Sequence, residues 1–171
     1  MYARLRPYHL IGAIGGFLTV LTAIISSAVS TSYYISAEWV IIVNMLLIGS
    51  NGLIATYFFG AFSASRDSLI KVGSLIAGIG LGFNVLISIL QMAGVYVFVL
   101  ALLGALVMMA GVVIACIKFI MLFQRDAFVV VFCVFIFLGL LLSLFWTWAS
   151  LISGAGLGGL LIYFYVHNIT Y

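Results

Sequence analysis

The sequence predicts an all-α, polytopic membrane helix bundle with six transmembrane helices. Three observations lead there. The 171 residues include only six Lys and Arg and three Asp and Glu. Hydrophobic residues make up 67 % of the chain and charged residues 5 %, where an ordinary globular domain has about 45–50 % and about 25 %. The stretches 7–37, 39–65, 72–117 and 127–171 carry no charge at all. A surface facing water needs charge, whereas a bilayer core ~30 Å thick needs ~20 apolar residues per crossing helix. A single integral membrane domain over 1–171 accounts for the chain, and no hydrophilic stretch is long enough for a soluble domain.

The first span covers residues 8–30. Arg4 and Arg6 precede it as in a signal peptide, but the apolar run is too long and further spans follow, so it reads as an uncleaved helix. Pro7 suits a helical first turn, where its missing N–H would be unpaired anyway. The second span covers 39–62, after Glu38, and the third 68–90, where Asp67 can cap the free N–H groups. The fourth covers 95–123, with Lys118 close enough to its end to snorkel to the headgroups. The fifth covers 127–148, opened by Asp126. The sixth, 153–167, is short and Gly-rich at its start, so a re-entrant segment after five crossings is the alternative. At ~1.5 Å per residue the stretch 127–171 is nonetheless far too long for one crossing.

Six spans place Arg4, Arg6, Arg66, Lys71, Lys118 and Arg125 on one side and leave Glu38 on the other. The positive-inside rule then puts both termini in the cytoplasm. Aromatic residues agree with this. Tyr33, Tyr34, Trp39, Tyr96, Trp146 and Trp148 fall near the outer interface, and Tyr8, Tyr163, Tyr165 and Tyr171 near the inner one. These ring types anchor at that level because one end is apolar and the other seeks water. Arg6-Pro7, Arg66-Asp67 and Arg125-Asp126 each open a helical hairpin, a spacing that two spans and their loops produce without duplication.

The basic residues sit in pairs at helix ends and form no stripe, which excludes nucleic acid as a partner. No Asp or Glu falls in mid-span, where proton and cation pumps keep a carboxylate. The sequence has no HExxH or GxSxG, and no metal-ligand spacing around Cys116 and Cys133, which argues against an enzyme and against a metal. The two cysteines fall at similar depth on neighbouring helices and read as packing residues that could touch. The Asn168-Ile169-Thr170 sequon falls at the cytoplasmic end and is discounted.

Uncharged polar residues are more informative. Asn44 and Asn51 share one face of the second helix, and Asn84, Ser88 and Gln91 share one face of the third. Antiparallel packing puts Asn44 and Asn84 at comparable depth, where two amides can satisfy one another as interhelical glue. The alternative is that the five line a polar pocket or water file. Small residues four apart, Gly12 and Gly16, then Ser74, Gly78 and Gly82, then Gly154 and Gly158, mark grooves for close helix contact, within the chain or with a partner subunit. His9 and His167 lie near one interface on the first and last helices. Interfacial histidines with wet tips are the ordinary reading. If the helices are neighbours, the pair could instead ligate haem or bind a quinone.

With little extramembrane mass and no catalytic constellation, the leading expectation is a non-catalytic, multi-pass subunit of a larger, energy-transducing membrane complex, in contact with lipid and other subunits and without a cofactor. A small transporter, channel or substrate-binding module built on the Asn/Ser/Gln set is the alternative. A haem- or quinone-binding electron-transfer subunit is the third.

Overall fold

The computed structural model describes residues 5–30, 36–95, 97–143, 145–146 and 148–171. Arg4, Tyr33, Tyr34 and Tyr96, invoked above for orientation and anchoring, lie outside the described residues. The described chain is all-helical: α1 (Arg6–Ser30), α2 (Ala37–Ala64), α3 (Ser68–Met92), α4 (Phe98–Leu122), α5 (Ala127–Ser143) and α6 (Ala149–Val166). All but α5 are long and apolar enough to cross a bilayer; α5 has 17 residues.

Two boundaries differ from expectation. Helix α5 stops at Ser143, where the sequence suggested 148, and α6 begins at Ala149 instead of 153. The chain turns tightly there, with Phe145 and Trp146 N–H both donating to the Leu142 carbonyl. The Trp-rich stretch is therefore the connection, and Ser150 belongs to a helix. The re-entrant alternative gives way to a continuous α6 that runs antiparallel along α1. Gly154 and Gly158 meet Gly16, Leu161 meets Gly12, Phe164 meets His9, and Tyr165 lies under the Arg6 guanidinium at 4.8 Å.

Each helix packs on its sequence neighbours, and α6 packs on α1, so the six close into a ring whose sparsest seam is α4–α5. Glycines set the tight seams. A Cβ at Gly111 would run into the Ala77 backbone across α3–α4, and one at Gly139 into the Ser153 backbone across α5–α6. Small residues let backbones approach and gain van der Waals contact that larger side chains would prevent. The ring's outer surface is apolar, with Val99, Met45, Leu103 and Ile117 all exposed. Such a face suits hydrocarbon.

Among the described residues, every charged side chain except Glu38 lies at one end of the ring. Lys118 Nζ on α4 reaches Asp67 Oδ2 before α3 at 3.0 Å, and Tyr163 on α6 donates to Asp126 Oδ2 before α5 at 2.6 Å. Both carboxylates cap helices as expected: Asp67 Oδ1 accepts from Leu69 and Ile70 N–H, and Asp126 Oδ1 from Phe128 and Val129 N–H.

Desolvation pushes the Asp67 carboxyl up, but the Lys118 ammonium and the Ile70 and Leu69 amides outweigh it and hold it below its ordinary 3.8. A group depressed on folding contributes stability above its unfolded value and loses it as pH falls through the folded one. Stability of the bundle is therefore expected to decline on acidification below that 3.8, with Asp67→Asn removing part of this slope. Asp67→Ala should cost about 1 kcal/mol more than Asp67→Asn, since Asn still caps a helix and Ala does not. Detergent unfolding curves of both variants across pH test this. Equal costs for the two would remove the capping account.

Candidate functional site

The inside of the ring differs between its two ends. At the charged end it is filled, with Ile70, Phe119, Val129, Leu160, Leu161 and Phe164 all buried. Toward the far end a cavity of about 330 Å³ remains, lined by side chains from all six helices. That volume is at the lower bound of small-molecule sites, about 300–1,000 Å³.

The lining is graded. Phe58, Leu81, Val112, Ile136 and Leu157 belong to positions nearest the charged end and form an apolar floor. Thr19, Asn51, Asn84 and Met108 lie at middle depth. Ser88, Gln91, Ser143, Ser150 and Ser153 line the upper part, near the far ends of α3, α5 and α6. Among the described residues, none of the lining side chains is ionisable.

Several of these polar groups are already engaged, which decides what they can offer. Thr19 donates to the Gly15 carbonyl at 3.0 Å, Ser88 to Asn84 O at 3.0 Å, and Ser143 to Leu140 O at 2.7 Å. Ser153 donates to Ser150 O at 3.2 Å. These hydroxyls spend their protons on their own helices and keep lone pairs for a guest. The Asn84 amide reaches only the Met108 sulfur, at 3.8 Å, a weak acceptor. Asn51 and Gln91 make no side-chain hydrogen bond to any described residue. Three amides thus hold spare donors and acceptors beside a set of hydroxyl acceptors.

Four of the five polar residues singled out from the sequence, Asn51, Asn84, Ser88 and Gln91, therefore meet at one cavity. Asn44 does not. It is buried, and its Nδ2 donates to the Val40 carbonyl of its own helix at 2.9 Å. The expected Asn44–Asn84 amide pair does not form, because Asn84 is rotated toward α4. Sequence reasoning missed Thr19, Ser143, Ser150 and Ser153. The available signal was Ser150 and Ser153 one turn apart beside Gly154, on the face of α6 that turns inward.

The small-residue positions are spent mostly inside the chain. Gly12, Gly16, Gly154 and Gly158 form the α1–α6 seam, Gly78 lies against the Phe59 ring, and Ser74 is buried. Gly82 alone of that set has open space beside it.

The two histidines have different surroundings. His167 is exposed, its ring 4.2 Å from that of Tyr163 and its Nδ1 3.0 Å from the Tyr163 carbonyl. His9 is buried among the Tyr57, Phe164 and Tyr171 rings, and its Nδ1 has no hydrogen-bond partner among the described residues. The two histidines share no hydrogen-bond or ring partner among the described residues. Among the described residues no three His, Cys, Asp or Glu side chains group to hold a metal. Cys116 on α4 and Cys133 on α5 are buried free thiols within one core cluster.

Tyr171 also departs from its expected role as an interface anchor. Its hydroxyl lies 2.5 Å from that of Tyr57 and 3.3 Å from His9 Nε2, and its ring packs on Phe119 at 4.8 Å. Burial pushes the Tyr171 phenol well above its ordinary value, against the opposing Tyr57 hydrogen bond, so it stays a neutral hydroxyl.

No protein-family model, curated protein or solved structure matches the chain.

Proposed function

We propose that this protein is a multi-pass membrane module that binds a small uncharged polar molecule in its central cavity, with the charged end toward the cytoplasm. The observation that carries this is the convergence of Asn51, Asn84, Ser88 and Gln91, from two helices, on a cavity lined by residues of all six. Glue between α2 and α3 would have paired these groups with each other. They instead face a common space with hydrogen-bonding capacity unspent. The absence of any charged lining residue among those described favours a neutral guest, since an unpaired ion loses its hydration there without a counter-charge. At ~30 Å³ per water the space equals about ten waters, a size for a small amide or polyol with its apolar side against the floor. An accessory-subunit role has less support, because the grooves it would use are filled within the chain.

The test is a thermal-shift screen of the purified protein with uncharged amides and polyols. A stabilising compound should lose about tenfold in affinity with Asn84→Leu or Asn51→Leu, the worth of one hydrogen bond, and little with Asn44→Leu. If no compound stabilises the protein and a Ser88→Cys thiol is inert from both sides of sealed vesicles, the cavity is dry and the proposal fails.

A further inference from the structure

We infer that the guest of the central cavity is an uncharged single-chain lipid of the monoacylglycerol class, which enters from the bilayer through a slot between the far halves of α4 and α5. Its head group occupies the cavity and its chain runs out through the slot. This rests on the cavity reading above and adds the class of guest and its route.

The α4–α5 seam is the sparsest of the ring, and its packing is uneven along its length. On α4, the side against α3 carries Gly104, Met108, Gly111 and Ala115. The adjoining stripe, turned to α5, is Phe98, Leu102, Met109, Cys116 and Ile120, at helical spacing. Burial rises along it: Phe98 is 79 % exposed, Leu102 44 % and Cys116 6 %. On α5, the side against α6 carries Phe132, Phe135, Ile136 and Gly139. The stripe turned to α4 is Val130, Cys133, Phe137 and Leu141. Cys133 is 1 % exposed, Phe137 41 % and Leu141 37 %. The two helices thus close on each other around Cys116 and Cys133 and part toward the far end. Their far halves are held elsewhere. A Cβ at Gly104 would lie 2.8 Å from Asn84 Oδ1 on α3, and one at Gly139 would meet the Ser153 backbone on α6.

That slot leads to the cavity between two ring neighbours, without crossing another helix. Met108 on α4 and Leu140 on α5 line the cavity, and each is followed in sequence by a slot position, Met109 and Leu141. Phe98, Leu102, Phe137 and Leu141 have no hydrogen-bonding side-chain atom, so the slot suits an alkyl chain and not a free polyol arriving from water. The grading of the cavity runs in the same sense as a lipid leaflet. Ser88, Gln91 and Ser150 stand at the far end, where head groups lie, and Phe58 and Leu81 stand deeper, where chains lie. A space worth about ten waters holds a glycerol head and the first carbons of one chain, so the rest of the chain leaves by the slot. Such a guest meets the unspent Asn84 and Gln91 amides with its head and the apolar slot walls with its tail.

The experiment uses the full chain in phosphatidylcholine bilayer discs, with a monoacylglycerol that carries a photoactivatable diazirine on its chain close to the head. Labelling that excess monoolein competes away should map to Leu102, Met109, Phe137 or Leu141. It should fall about tenfold with Asn84→Leu, the worth of one hydrogen bond to the head. Leu102→Trp, at a position exposed enough to take the larger ring, should narrow the slot and cut the labelling as well. Lysophosphatidic acid, with the same chain and a charged head, should not compete. Competable labelling confined to other helices, or unchanged by Leu102→Trp, overturns the slot. Equal competition by lysophosphatidic acid overturns the uncharged head. If free glycerol or acetamide stabilises the protein in an Asn84-dependent way while monoolein neither stabilises nor competes, the lipid inference falls and the cavity reading stands. If none of these compounds stabilises the protein and a Ser88→Cys thiol is inert from both sides, both readings fall.

Discussion

Gly16→Val is expected to prevent recovery of a folded, monodisperse bundle, or to cost at least about 3 kcal/mol, the upper end for overpacking. A Cβ at Gly16 would lie 2.7 Å from the Gly158 backbone N, 2.9 Å from its Cα and 3.0 Å from the Gly154 carbonyl O. All three are main-chain atoms, so no rotamer change can relieve the clash. The only remedy is to move α6 off α1. That seam joins the chain's first helix to its last and closes the ring, so losing it opens the central cavity to lipid. Against a total stability of about 5–15 kcal/mol, such a cost is decisive. Gly82→Ala is the matched contrast. It has nothing within 4 Å, and replacing a helical Gly by Ala gains up to about 1 kcal/mol. Unfolding in graded denaturing detergent, followed by helical circular dichroism, compares the two. A Gly16→Val protein as stable as wild type would show that α1 and α6 do not approach as described.

Gly16 and Gly82 also show how far the sequence could be read. Both belong to small-residue stripes at the same spacing, and spacing alone cannot say which stripe meets a backbone. On α3 the seam with α4 uses Gly73, Ala77 and Gly80, a line beside the one running through Ser74, Gly78 and Gly82. The helices themselves were legible because the charges stop where the spans start, and Asp67 and Asp126 announce the caps they form. The cavity was half legible. Periodicity put Asn84, Ser88 and Gln91 on one face, but which neighbour that face meets depends on how each helix rotates in the ring. Asn44 turns to the Val40 carbonyl of its own helix and Asn84 to Met108. Ser143 carries no distinguishing local pattern, and the Ser150–Ser153 pair beside Gly154 is a weak one, since serines are common in membrane helices. The inward turn of Tyr171 was hidden by a single backbone conformation, the left-handed Asn168. Asn168 was read only as part of a sequon, though Asn after an apolar helix is also a signal for a left-handed reversal.

Phe164→Ala is expected to destabilise the bundle by about 3 kcal/mol, the lower end of Phe→Ala costs in soluble cores, while Phe98→Ala should cost almost nothing. Phe164 is fully buried, with ring centroids 5.3 Å from Phe119, 5.6 Å from His9 and 5.7 Å from both Phe123 and Tyr171. Phe98 is 79 % exposed. In water both changes would involve hydrophobic transfer. In a bilayer, hydrocarbon solvates an exposed ring as well as a neighbouring helix does, so transfer contributes little and packing decides. Truncating Phe164 leaves a void that its neighbours fill only in part, and the lost dispersion contacts have no replacement. Truncating Phe98 exchanges ring–lipid contacts for lipid–lipid ones. The ratio of the two costs, measured on the bundle in bilayer discs, therefore reports what touches the outer face of α4. A Phe98→Ala cost approaching that of Phe164→Ala would mean that protein and not lipid covers that face, and would restore the case for a partner subunit there.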